Sequence, residues 1–254
     1  MVWAYVDDNE VPDLSDQLPD EFSATDLLVL GRWQDVDADW RHGVENGFDE
    51  GHAKMLHRTS WWKTFRYVPA WSKIKVTTSE DGRTLTRAVT DKGYETEYPG
   101  LGTWPHKRHW WQIPEGKPGG KSKPPVVSVD LPGIVRVHWP EHPLGEFDFW
   151  EIWVPLEPHR YRIFQLLTQR ARGFTRWRTR IMYDVAIRWI YHHSFHDEDL
   201  LMVRAMETPP EVLYRPDRSI SAWRRMVEDY LTEHDLSDHP STYGPDEAQS
   251  LRKT

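Results

Sequence analysis

Alternating apolar and polar residues predict that the first two thirds of this chain are rich in β-strands. Residues 26–40 alternate loosely around an apolar stretch at 27–30, and residues 73–78 alternate lysine or threonine with isoleucine and valine. Such period-two patterns are typical of strands that bury one face. Further strands are predicted at residues 126–137, 147–154 and 161–167. The proline-containing connection 155–159 suits an antiparallel pairing of the last two.

A first helix is predicted over residues 40–57, with Asp37 or Asp39 as its cap. Three glycines inside this segment lower its intrinsic helical stability. Tertiary contacts or a ligand must therefore hold it.

A longer helix is predicted over residues 174–206, where apolar side chains share one broad stripe, and a last helix over residues 219–233. The members of the stripe are Trp177, Ile181, Val185 and Ile190. A curved antiparallel sheet wrapped around the long C-terminal helix is the simplest assembly of these elements. It is an α+β fold of the helix-grip (START-like) type, with a cavity between helix and sheet.

Composition narrows the functional classes. The 254 residues include 15 Trp, 10 Tyr and 8 Phe but no cysteine, and the formal net charge is −8. Disulfides, thiol catalysis and cysteine-held metals are thus excluded, and the charge argues against nucleic acid as a partner. No apolar run reaches 18 residues and the N-terminus lacks a signal-peptide pattern, so we expect a cytoplasmic protein without membrane spans. One domain is expected over residues 1–236, followed by a polar, flexible tail at 237–254.

Two histidines five residues apart are the strongest chemical signal. His52 and His57 follow Asn46 and Asp49, and an acidic cluster lies far downstream at residues 197–199. Two imidazoles, one carboxylate and open coordination positions suit a mononuclear non-haem ferrous site. On a regular helix, however, five residues rotate the two histidines about 140° apart. The spacing therefore requires a break or a π-type widening near Gly51, and two surface histidines on a polar helix remain the alternative.

The segment 39–57, together with residues 131–137, 149–156 and 213–217, resembles the catalytic domain of Rieske-type non-haem iron oxygenases. The resemblance is closest to their carbazole-dioxygenase-like branch. It implies that His52 and His57 ligate Fe(II), that Asp49 links the iron to the Rieske centre of a neighbouring subunit, and that Asn46 borders the iron.

The third ligand is expected from the acidic cluster. The spacing that the resembling family uses selects Asp199, with Asp197 as second choice. In the family a glutamate follows the aspartate by five residues, and in this sequence Arg204 stands at that position. His192, His193 and His196 form a competing cluster, from which His196 is a candidate pocket residue. The strands contribute further candidates for an apolar substrate pocket, namely Ile134, Trp139, Phe147 and Phe149.

The resemblance implies activation of O₂ to hydroxylate, or oxidatively demethylate, an aromatic or other hydrophobic substrate. A 2Fe-2S Rieske cluster needs two cysteines and two histidines, so this chain cannot hold one. Electrons are expected from a separate Rieske protein and a reductase, and a homo- or hetero-trimer is possible. Residues 2–6 resemble the strand that leaves the Rieske domain. Two alternatives stay open: a non-catalytic helix-grip protein that binds a hydrophobic ligand, and a fragment of a longer oxygenase.

Overall fold

The computed structural model describes most of the chain between residues 19 and 233. The described residues are 19–49, 52, 56–61, 66–67, 71–90, 94–97, 110–111, 113–114, 125–131, 133–140, 145–157, 159–206 and 217–233. The strand-like segment 2–6 and the tail 237–254 lie outside them, so the domain boundary at residue 236 stays a prediction.

An eight-stranded antiparallel sheet forms most of the fold. Its strand order is β1-β10-β9-β8-β7-β4-β3-β5, and a short parallel pair, β2-β6, stands apart. The strands of the described residues are β1 Leu27–Val36, β2 Arg66–Tyr67, β3 Trp71–Thr78, β4 Thr84–Val89, β5 Tyr94–Glu97, β6 Ile113–Pro114, β7 Val126–Asp130, β8 Ile134–Trp139, β9 Phe147–Glu157 and β10 Arg160–Arg170.

The predicted strands are present, with one correction. Residues 126–137 form two strands rather than one, because β7 and β8 pair as a tight hairpin in which Asp130 faces Ile134. In the sequence Pro132 separates the two strands, and proline has no N–H to offer a ladder. The predicted antiparallel pair is confirmed, and β9 and β10 extend into the connection that the sequence suggested between them.

Helix α1 spans Trp40–Phe48, where residues 40–57 were expected to be helical. The Asp39 carboxylate caps it by accepting a hydrogen bond from the backbone N–H of Arg41 at 3.0 Å. The helix ends at Asp49, whose ψ of 134° is extended, so the predicted break comes two residues before Gly51. Packing explains why residue 43 is a glycine: a Cβ there would lie 2.4 Å from Nε1 of Trp153 on β9. Glycine thus allows α1 to approach the sheet closely.

The long helix, α2, covers residues 173–205, as predicted. It is α-helical over Gly173–Met182, widens into π-helical turns at Tyr183–Ile187 and Trp189–His196, and returns to α-helix over Asp197–Ala205. A last helix, α3, spans Arg218–Glu233. No helix of the described residues is long and apolar enough to cross a membrane.

Most of the predicted apolar stripe along α2 faces solvent, although its member Ile190 packs against the core. Trp177 is 60% exposed and Val185 is 69% exposed. The sheet is instead contacted by Tyr183, Ile187 and Tyr191, which pack against inward-facing residues of β8 to β10. Both stripes are apolar, so periodicity alone could not decide which of them is buried.

The sheet separates an inner face from an outer face. On β9, Phe147, Phe149 and Trp153 pack on the inner side, whereas Trp150 and Ile152 belong to a separate outer cluster. The inner face, covered by α1, α2 and α3, carries the candidate site.

Candidate metal centre

Three predicted ligands converge between α2 and the segment that follows α1. Ligand atoms of His52, His57 and Asp199 all lie within 4.8 Å of one another. Oδ1 of Asp199 is 3.1 Å from Nε2 of His57 and 3.5 Å from Nε2 of His52. The termination of α1 at Asp49 and a 3₁₀ turn at Leu56–Thr59 give the two histidines an arrangement that one continuous helix would not allow.

The donor atoms fit a metal ion. The His57 side chain is fully buried, and those of His52 and Asp199 are 12% and 11% exposed. Nε2 of His57 and Oδ1 of Asp199 are buried without a hydrogen bond among the described residues. Ligands about 2.1 Å from one first-row metal ion and at right angles lie about 3 Å apart. A cation would therefore satisfy atoms whose burial is otherwise costly, and two nitrogens with one oxygen suit ferrous iron.

Two carboxylates orient the imidazoles from behind. Nδ1–H of His57 donates to Oε2 of Glu198 at 2.9 Å, and the ring stacks on Phe195 with centroids 3.8 Å apart. The backbone N–H of His52 donates to Oδ2 of Asp49 at 3.0 Å, and Nδ1 of the same residue lies 3.5 Å from that oxygen. Both arrangements leave Nε2 directed toward Asp199, as carboxylate–histidine pairs do at metal sites.

Electrostatics around His52 favour its pairing with anions. Burial, the largest influence, lowers its pKa, but the carboxylates of Asp49 and Asp199 outweigh burial, so the pKa is raised. A cation between His52, His57 and Asp199 would compete with the proton of His52 for the same negative charge.

Asp197, the second choice for the third ligand, lies elsewhere. Its carboxylate accepts from Arg32 at 2.6 Å and contacts Nδ1 of His193 at 3.1 Å. Although partial burial acts in the other direction, the hydrogen bonds from Arg32 and His193 hold the pKa of Asp197 below its usual value. The side chain is thus committed to an ion pair near the surface.

The competing histidines do not form a metal group. Nε2 of His192 accepts from the Tyr183 hydroxyl at 2.8 Å, and burial lowers the pKa of His192 to about 3. His196 stacks on Phe149 with centroids 4.5 Å apart, and burial lowers its pKa as well. Both are neutral, packed imidazoles, and His193 is a surface partner of Asp197.

The chain is similar to proteins of a known family. A family model described as "Homotrimeric ring hydroxylase" matches residues 5–233. The chain belongs to this family. It is 26% identical over 260 residues to the terminal oxygenase component of carbazole 1,9a-dioxygenase from Sphingomonas sp, a match that covers 91% of this chain and 63% of the relative.

Solved structures show the same fold. The carbazole 1,9a-dioxygenase terminal oxygenase from Nocardioides aromaticivorans IC177 superimposes with a TM-score of 0.67 at 25% identity, covering 89% of this chain and 64% of that one. A reduced complex between oxygenase and ferredoxin of carbazole 1,9a-dioxygenase gives 0.65 at 21% identity, covering 87% and 60%. The chain spans less than two thirds of these relatives. The expected helix-grip fold and the carbazole-dioxygenase-like branch are confirmed.

The pocket candidates divide between the two faces of the sheet. Trp139, Phe147 and Phe149 lie on the inner face in one cluster with Tyr191. Ile134 does not: it pairs with Ile152 and packs in the outer cluster, so its prediction as a pocket residue is wrong. Inward and outward positions alternate along β8, and Val135, Val137 and Trp139 are the inward ones.

Asn46 lies half-buried on α1, in the turn before Asp49. Its place beside the iron stays a prediction.

A polar chain on the inner face was missed by the sequence reading. Nε of Arg32 donates to Oε1 of Gln165 at 2.8 Å, and Nε2 of Gln165 donates to Oε1 of Glu151 at 3.0 Å. Burial, strengthened by the negative charge of Asp199, raises the pKa of Glu151 to about 7. One signal was available: Glu151 follows Phe147 and Phe149 in the period-two series of β9 whose other members up to Trp153 are apolar.

Proposed function

We propose that this chain is the catalytic component of a mononuclear non-haem iron oxygenase. His52, His57 and Asp199 would hold one ferrous ion. The substrate would be an aromatic or other hydrophobic molecule, hydroxylated or oxidatively demethylated. The convergence of three ligand atoms, two of them buried without hydrogen bonds, carries this proposal. The activity named for the carbazole dioxygenase relatives supports the reaction class.

Bound ferrous iron would supply the activation of dioxygen, because three protein ligands leave coordination positions open. The chain's own residues orient the two histidines and shield His57 from water. Glu198 fixes the tautomer of His57 by accepting a hydrogen bond from Nδ1. Asp49 holds His52 by accepting a hydrogen bond from its backbone N–H. Phe195 covers the ring of His57 and excludes water from it.

Electrons would come from outside this chain. A Rieske cluster needs cysteine ligands, and these 254 residues contain none. Asp49 suits an entry point because it contacts His52 while its side chain stays 23% exposed. The oxygenase–ferredoxin complex of the carbazole system supports a separate iron–sulfur donor. A reductase would reduce that donor, and the family description favours assembly as a trimer. The system would work in the cytoplasm, where NADH is available.

Reconstitution tests the proposal. The protein, loaded with ferrous iron under argon, is combined with a Rieske ferredoxin, its reductase, NADH and a panel of aromatic compounds. We expect about one iron per chain and oxygenated products that disappear when iron is removed. Failure to bind iron would exclude the site, and product formation independent of iron would exclude the mechanism.

A further inference from the structure

We infer that Glu151 recognises the substrate, and that the substrate class is an aromatic compound bearing a cationic amino group. The Glu151 carboxylate would accept hydrogen bonds from this group beside the metal centre. This inference rests on the proposed function and deepens it.

The Glu151 carboxylate is fixed at one oxygen and open at the other. Oε1 accepts from Gln165, whose own Oε1 is held by Arg32. Oε2 makes no hydrogen bond within the described part of the chain. Facing it is Gly47 of α1, where a Cβ would lie 3.2 Å from Oε2. An oriented acceptor with one uncovered oxygen is what a donor on a ligand requires.

The open oxygen lies close to the segments that carry the metal ligands. The side chains of Glu151, His52 and Asp199 keep 12%, 12% and 11% exposure, although their surroundings are buried. Phe149 is 4% exposed, and His196 is 3% exposed. Oε1 of Glu151 lies 3.6 Å from Nε2 of His196, one helical turn before Asp199 on α2, and Oε2 faces Gly47, two residues before Asp49. An amino group bound at Glu151 would therefore hold the attached ring close to the metal centre.

Charge selects a cation over a neutral group. Burial and the nearby Asp199 both disfavour the ionised form of Glu151, as its raised pKa shows. A buried carboxylate is stabilised when a cation pairs with it and donates hydrogen bonds. The rival class is an anionic aromatic, which the carboxylate of Glu151 would repel.

The test measures binding without turnover. The iron-loaded protein is titrated calorimetrically under argon with three naphthalene probes of similar size: 2-(aminomethyl)naphthalene, 2-naphthalenemethanol and 2-naphthoate. We expect the amine to bind at least tenfold more tightly than the alcohol, and the carboxylate to bind most weakly. In Glu151→Gln, the amide oxygen can still accept from Gln165, so the fold is retained while the amine loses its advantage.

Glu157→Gln serves as the matched control, because Glu157 is an exposed carboxylate on the same strand. It should keep the preference for the amine. Equal binding of amine and alcohol by the parent protein, no amine binding at all, tighter binding of naphthoate, or an unchanged preference in Glu151→Gln would each overturn the inference. The first three outcomes need no variant.

Iron analysis of the same samples separates the two proposals. Normal iron content without a preference for the amine overturns the role of Glu151 alone. Absence of iron binding overturns the proposed function, and the probes, titrated into the metal-free protein, then still decide whether Glu151 recognises amines.

Discussion

Oδ1 of Asp199 lies 3.1 Å from Nε2 of His57, and neither atom makes a hydrogen bond among the described residues. The two residues come from opposite parts of the chain, one on α2 and one in the 3₁₀ turn after α1. An acceptor and an imidazole nitrogen held at this distance are arranged for a shared cation.

His57→Ala should abolish iron binding. The substitution removes one of three protein ligands from a site that is already open. Iron content after anaerobic loading, with circular dichroism as the check on folding, measures the effect. His138→Ala is the control, because His138 pairs with Asp148 away from the centre. If His57→Ala retained a full complement of iron, the site would lie elsewhere.

Asp199→Ala should lose iron, whereas Asp197→Ala should keep it. Asp199 offers a buried, unpaired oxygen to the histidines, but Asp197 is occupied by Arg32 and His193. Metal analysis of the two variants, purified in parallel, decides between them. The reverse pattern would transfer the ligand role to Asp197.

Asp49→Asn should retain iron yet turn over at least tenfold more slowly with a supplied Rieske donor. The amide keeps the shape but loses the charge and part of the acceptor capacity that a link between two redox centres needs. Iron content and single-turnover rates on one preparation give the answer. Wild-type rates would exclude a linking role, and loss of iron would show that Asp49 mainly holds His52.

Glu198→Gln should weaken iron affinity by about 10- to 100-fold without unfolding the protein. The carboxylate accepts from Nδ1 of His57, and the amide is a poorer acceptor that cannot stabilise the imidazole in the same way. Competition with a chelator of known affinity measures the change. Unaltered affinity would mean that stacking on Phe195 alone orients the ring.

Glu151→Gln should flatten the pH dependence of stability in the metal-free protein. Because the pKa of Glu151 is raised from 4.5 to about 7, the folded state binds more protons than the unfolded state between these values. This group therefore adds its full contribution to the free energy of unfolding below pH 4.5, and that contribution is lost as the pH rises to 7.

The loss is on the order of 3 kcal/mol. Urea denaturation at pH 4.5 and pH 8 should thus show the variant gaining stability over the parent at the higher pH. A constant difference across this range would contradict the raised pKa.

Local patterns in the sequence determined much of this protein. Period-two alternation located β9 and β10, helical periodicity located α2 and α3, and the spacing of Asn46, Asp49, His52 and His57 pointed to the family. The absence of cysteine ruled out an iron–sulfur cluster in these residues. Each of these signals depends on neighbouring residues or on composition, which is why the sequence alone carries it.

Tertiary structure decided the rest. The end of α1 at Asp49, the burial of Tyr183 rather than Trp177, and the outward direction of Ile134 depend on which faces the sheet and helices present to each other. Glu198 and Asp197 received different partners because α2 directs them to different sides. Contacts between segments far apart in the chain set these outcomes, and no local pattern encodes such contacts.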